Sequence, residues 1–199
     1  MLVDSHCHLE YRGLVEDQAA VLLRAREAGV GAFLNISTKR SEWEQVVATA
    51  NREPDVFASV GIHPHEADAH EDLGRASLFQ ASEDSRVIGI GETGLDYFYE
   101  YSDREVQAKL FRMHIDVARE TGLPVIIHTR DAEDDTFARN GEGDLPCTHS
   151  LFHSISGFWP KGPRSRSHNF NLRHCHVQKR QSIASCRCRS ARRSAPCGN

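Results

Sequence analysis

At 199 residues, 39% of them hydrophobic, the chain is long enough to bury a sizeable core. It contains no run of about 18 apolar residues, which excludes a membrane-spanning helix of ordinary type. No basic segment followed by an apolar one opens the chain, so no secretory leader is expected and a cytoplasmic location is the default. The net charge of −4 hides an asymmetry. Residues 1–135 hold 26 Asp and Glu against 13 Lys and Arg, whereas residues 136–199 hold 2 against 11. Cysteine divides the same way: Cys7 alone in the first part, then Cys147, Cys175, Cys186, Cys188 and Cys197. Their uneven spacing predicts no disulfide framework. The shift predicts two segments, 1–135 and a basic Ser/Arg/Cys/His-rich tail over 136–199.

Leu2 to His8 reads as a first strand. Residues 14–28 follow with Leu14, Val21, Leu22, Ala25 and Ala28 near helical spacing and Gly29 as a stop. Ala32–Ile36 is a second strand, and Ser41 with Glu44 suggests a capping box opening a helix to about Arg52. Asp55–Gly61 reads as the third strand, followed by a helix near 72–83. Arg86–Ile90 is the fourth strand, ending in Glu92. Ser102 with Glu105 suggests a second capping box, for a helix carrying Val106, Leu110, Met113 and Val117 and stopping at Gly122. Pro124–Ile127 is the fifth strand, ending in His128, and Asp131 reads as the N-cap of one more helix.

Five alternations of strand and helix with short connections predict parallel βαβ units. The strands are apolar on both faces, as in a parallel sheet covered by helices. Polar residues cluster at their carboxyl ends, where a (β/α) barrel builds its site. A doubly wound sheet also fits five strands, but the glycine-rich phosphate turn after its first strand is absent. From Phe137 to Asn199 no sustained period exists, and Pro146, Pro160 and Pro163 interrupt the segment, which predicts irregular or disordered structure.

His6 and His8 alternate onto one face of a strand, the spacing of two imidazoles on one cation. Cys7 points to the other face and reads as a packing residue. Glu92 lies between glycines after a buried strand, where a carboxylate needs a partner. His128 follows three buried apolar residues. Each has a bland reading alone, as a hydrogen-bonded pair, a salt bridge or a core histidine. Together, at the carboxyl ends of different strands, they predict a metal centre. Nitrogen and carboxylate donors suit zinc, manganese, iron or magnesium. A carboxylate can also bridge two ions about 4 Å apart, an arrangement that hydrolyses phosphoesters.

The motifs Val3–Leu9, Gly61-Ile62-His63-Pro64-His65, Gly89–Tyr97 and Pro124–Arg130, in this order and spacing, resemble the TatD family of metal-dependent hydrolases. The resemblance covers residues 1 to about 135. It implies an α/β fold of the TIM-type (β/α)8 barrel, here about five βα units followed by an irregular tail. It also implies two divalent ions (Mg, Mn or Zn), with His6 and His8 on one, Glu92 bridging and His128 on the second. His63 and Arg130 become contacts to the scissile phosphate, and Glu92, His63 and Arg130 the catalytic set. The implied activity is 3′ to 5′ exonucleolytic hydrolysis of DNA. The family adds a histidine, in a His-Cys pair, from the sixth strand and an aspartate from the eighth. Neither motif occurs in its context here. His153 lies at a plausible distance, but its surroundings are not that motif. Three strands are therefore expected to be missing, and a change of reading frame near residues 136–140 accounts for the altered tail.

Two other readings compete. An amidohydrolase of the same barrel class shares the His-x-His start but often bridges its metals with a carboxylated lysine, where this chain offers Glu92. A non-enzymatic zinc-binding, nucleic-acid-binding tail could use Cys147, His149, His153, Cys175, His176, Cys186, Cys188 and Cys197, but no Cys-x2-Cys pair supports it.

Overall fold

The computed structural model describes residues 1–136 and, as backbone, 150–154. Six parallel strands form one sheet: β1 (Leu2–Cys7), β2 (Val30–Ile36), β3 (Val56–Val60), β4 (Val87–Asp96), β5 (Val125–Arg130) and β6 (Ser150–Ser154). Their order in the sheet is their order in the chain. A doubly wound sheet reverses its strand order at a switch point, so strictly sequential order belongs to a curling barrel wall. Helices α1 (Gln18–Glu27), α2 (Trp43–Arg52), α3 (Arg75–Ala81) and α4 (Arg104–Thr121) fill the first four crossovers. None is long and apolar enough to cross a membrane.

Alternation divides the apolar residues between the two faces of the sheet. Phe33, Val56, Ala58 and Ile90 pack against the helices with Leu22, Val46, Phe111 and Ile115. Leu34, Ile36 and Ile126 form a smaller cluster with Phe57 and Ile88 on the opposite face. Helix α4 presents Ala108, Leu110, Phe111, Ile115, Val117 and Ala118 to the core, a spacing of three and four residues along one stripe. It ends at Gly122, in the left-handed conformation expected of a C-terminal stop.

Neither capping box forms as the sequence suggests. The cap of α4 is Asp103, whose carboxylate accepts from the amides of Glu105 and Val106. Ser102 instead donates to the His65 carbonyl and accepts from the Asp68 amide. Ahead of α2, a 3-10 turn over Arg40–Glu42 replaces the cap, and Glu42 takes the amide and hydroxyl of Thr38.

Two further differences bear on the site. Strand β4 runs on to Asp96, six residues past the expected end at Ile90. In addition, Ser150–Ser154 pairs with β5 as a sixth strand inside the segment expected to be irregular. Only Leu151 and Phe152 are apolar there, too few for a sequence period; the ladder is made by backbone groups against β5. One of the three strands expected to be missing is thus present, and residue 153 is in register with His128. The other expectations for 137–199 lie outside the described residues. All described residues belong to the compact unit Met1–Ile155.

Close backbone approach depends on glycine. Gly94 has φ +140°, and a Cβ there would lie 2.0 Å from the His128 carbonyl oxygen. We expect Gly94→Ala to lower the unfolding free energy by roughly 3 kcal/mol. Gly74→Ser, at an N-cap with open space around it, should change it by less than about 0.5 kcal/mol. Urea denaturation of both variants checks this.

His114, fully buried on α4, accepts from the Ile62 amide at Nε2 (3.0 Å) and donates from Nδ1 to the Leu110 carbonyl (2.8 Å). That pairing needs a neutral ring, and burial pushes the imidazole down to about 4. The unfolded chain titrates near 6.5, so it binds the proton first as pH falls. Stability is full above about pH 6.5 and declines toward pH 4, by up to about 3 kcal/mol from this group. His114→Gln should flatten that part of the profile when urea midpoints are measured from pH 7 to pH 4. An unchanged slope would show that His114 does not carry it.

Candidate metal centre

Every candidate side chain stands on or just beyond the carboxyl end of a strand. On β4, Glu92, Gly94 and Asp96 alternate onto one face. On β5, His128 and Arg130 do the same, with Gly94 opposite His128 and Asp96 opposite Arg130. His6 comes from β1 and His8 from the residue after it. His63 and His65 lie in the turn after β3. That turn is fixed from several sides: Trp43 Nε1 donates to the Gly61 carbonyl, the Gly61 amide donates to Ser37 Oγ, and the His63 amide donates to the Thr38 carbonyl.

Glu92 is the hub, 2% exposed. Its Oε2 lies 3.3 Å from His6 Nε2 and 3.9 Å from His8 Nε2. Its Oε1 lies 3.2 Å from His128 Nδ1 and 3.9 Å from His63 Nε2. Burial works against ionisation, but hydrogen bonds from His128 and His6 and the nearby His63 outweigh it. They hold the carboxyl well below the usual range. Asp96, fully buried, is likewise held down: burial opposes its charge, and hydrogen bonds from His128, His65 and the Tyr99 amide prevail. Its Oδ2 lies 2.9 Å from His128 Nε2, 2.8 Å from His65 Nε2 and 3.9 Å from Arg130 Nε.

Three groups could each hold a cation: His6, His8 and Glu92; His63, Glu92 and His128; His65, Asp96 and His128. The donor chemistry fits one. His8 donates from Nδ1 to the Ile36 carbonyl (3.2 Å), which leaves a lone pair on Nε2 toward Glu92. Two acceptors then face each other at 3.9 Å, a gap that a cation satisfies and a proton does not. His128 lies between two carboxylates. Both of its nitrogens face carboxylate oxygens, Nδ1 at 3.2 Å from Glu92 and Nε2 at 2.9 Å from Asp96. Burial pushes His8 and His63 toward the neutral form, His63 down to about 3. His63 differs in tautomer: its Nδ1 accepts from the His65 amide (3.1 Å), so its N–H sits on Nε2. That N–H faces His128 Nδ1 at 3.2 Å. Among the described residues, two buried carboxylates are matched here by one guanidinium, Arg130 at 9% exposure.

The structure thus gathers His6, His8, Glu92, His63, His128 and Arg130. Cys7 faces away: its thiol donates to the Leu34 carbonyl (3.3 Å), and burial, with the Asp4 charge, pushes it up to about 12. It is a protonated packing residue, as alternation predicts. Two participants were missed, His65 and Asp96. Both lie inside recognised motifs, two and four residues from named ones. Period-two alternation through Glu92 would have found Asp96, had β4 not been ended at Ile90.

The TatD related DNase family model matches residues 3–170, beyond the boundary read at 135. A metal-dependent hydrolase named YjjV from Escherichia coli K12 is 33% identical over 157 residues, covering 78% of this chain and 60% of the relative. The 3′-5′ ssDNA/RNA exonuclease TatD of Erwinia tasmaniensis is 34% identical over 134 residues, covering 67% and 52%. The crystal structure of E. coli YjjV superposes with a TM-score of 0.69 at 32% identity, over 73% of this chain and 57% of that one. The chain spans about half to three fifths of the length of these relatives. With sequence, strand order and fold in agreement, the chain belongs to the TatD related DNase family.

Proposed function

We propose that this chain is the ligand-bearing part of a two-metal hydrolase that cleaves phosphodiester bonds in DNA from the 3′ end. The observation that carries this reading is the divided carboxylate of Glu92, one oxygen toward His6 and His8 and the other toward His63 and His128. In this reading His6 and His8 would hold one ion, His128 would hold a second, and Glu92 would serve both. Residues 1–135 contain all of these groups. Magnesium, manganese or zinc held there would acidify a bound water and polarise the phosphoryl oxygens.

The protein's own groups do the rest. Glu92 is ionised at neutral pH and so offers a lone pair on each oxygen. In this reading the Nε2–H of His63, which faces His128 Nδ1 in the structure, would turn to a non-bridging phosphate oxygen, and Arg130 would add a fork of charged donors, the geometry that suits phosphate. Asp96 orients His65 and His128 and steadies the guanidinium. It acts through those residues and positions them. The Erwinia relative's name supports a single-stranded nucleic acid substrate.

The test is manganese- or magnesium-dependent release of nucleotides from 3′-labelled single-stranded DNA by the full chain. We expect chelation to abolish release, and His6→Ala with His8→Ala to lower it at least about 100-fold. Far-ultraviolet circular dichroism should match the wild type. Release that survives both the chelator and the double substitution would overturn the proposal.

A further inference from the structure

Large aromatic side chains are normally buried, and a cluster of exposed ones beside a polar site marks a binding surface. Such a cluster follows β4. Phe98, Tyr99 and Tyr101 are 59%, 45% and 64% exposed. Tyr99 and Tyr101 stack with centroids 5.2 Å apart and planes at 3°, and Phe98 meets Tyr99 edge-on at 4.7 Å. Glu100 between the tyrosines has φ +49°, which turns the chain.

This shelf is joined to the metal centre. The Arg130 guanidinium carbon lies 4.8 Å from the Tyr99 centroid and 5.7 Å from that of Phe98. His65 meets Tyr101 edge-on at 4.9 Å and Tyr99 at 5.5 Å. Asp96 serves both structures: Oδ2 takes His65 and His128, while Oδ1 accepts from the Phe98 and Tyr99 amides at 3.1 and 3.2 Å. On the β1 side, Tyr11, 45% exposed, stacks on His8 at 4.5 Å and 15°.

We propose that Phe98, Tyr99 and Tyr101 form a base-stacking shelf that takes the unpaired terminal bases of a single-stranded nucleic acid whose phosphate lies at Arg130. The occupant follows from the arrangement. Flat π surfaces beside a phosphate-seeking guanidinium match a strand that alternates bases and phosphates. Such stacking tolerates every base, and it requires bases free of a duplex. The inference deepens the phosphodiesterase reading of the same site and rests on it for the placement of the phosphate.

The test measures binding and cleavage separately. A 5′-fluorescein hexathymidylate, and the same strand abasic at its last two positions, are titrated with the full chain by anisotropy, with and without manganese. We expect the base-bearing strand to bind roughly tenfold more tightly. Phe98→Ala and Tyr101→Ala should each erase most of that difference, Tyr101→Phe should keep it, and a blunt duplex should bind like the abasic strand. Both positions are exposed, so the fold tolerates the changes. Equal binding of the two strands by the wild type, or variants indistinguishable from it, would overturn the shelf. Nucleotide release is read in the same samples. Base-dependent binding without release would remove the hydrolase reading and leave the shelf. Release that the substitutions do not touch on either strand would do the reverse.

Discussion

The structure depends on a carboxylate that must be both buried and charged. Glu92 is held ionised by imidazoles from three other regions of the chain: His6 on β1, His63 after β3 and His128 on β5. In a flat sheet, β1 and β4 would lie three strand spacings apart, about 14 Å. The 3.3 Å approach of His6 to Glu92 therefore requires the sheet to curl. The sequential parallel order permits that curl, and the helices on the outer face leave the inner face free for polar groups. The fold and the site are one constraint: without curvature the carboxylate has no partners, and without partners its burial is costly.

Curvature brings backbones close, and glycine makes room. A Cβ on Gly61 would lie 2.4 Å from Gly91 Cα, and one on Gly94 would strike the carbonyl of His128. These glycines lie beside the candidate site residues. Side chains at those positions would push β3, β4 and β5 apart at the level of Glu92, so the space for the site is created by atoms that are absent.

Much of this was legible in the sequence. The first five strands, the four helices between them and the convergence of His6, His8, Glu92 and His128 follow from apolar periodicity and from polar residues that end each run. The capping box ahead of α4 failed because Ser102 and Asp103 are adjacent and both able to cap. Tertiary contacts with His65 and Asp68 claimed the serine. The extent of β4 was not legible because Gly91 and Gly94 read as strand breakers, although here they permit close packing. That error hid Asp96. Strand β6 escaped for the opposite reason: Ser150–Ser154 has little side-chain signal and pairs through its backbone along β5.

What the letters alone do not settle is the role of each histidine. His8 and His63 are chemically identical, both are largely buried, and both are pushed toward the neutral form. Their backbone partners separate them. A carbonyl, Ile36 O, takes the Nδ1–H of His8 and leaves a lone pair facing the carboxylate. An amide, His65 N, fills Nδ1 of His63 and leaves an N–H instead. One presents a lone pair, as a cation requires, and the other presents an N–H. The difference arises from whether the neighbouring peptide presents its donor or its acceptor, which the pairing of β1 with β2 and the turn after β3 decide. The strand ends therefore do more than carry the candidate side chains to one place; they set the tautomer in which each neutral imidazole arrives.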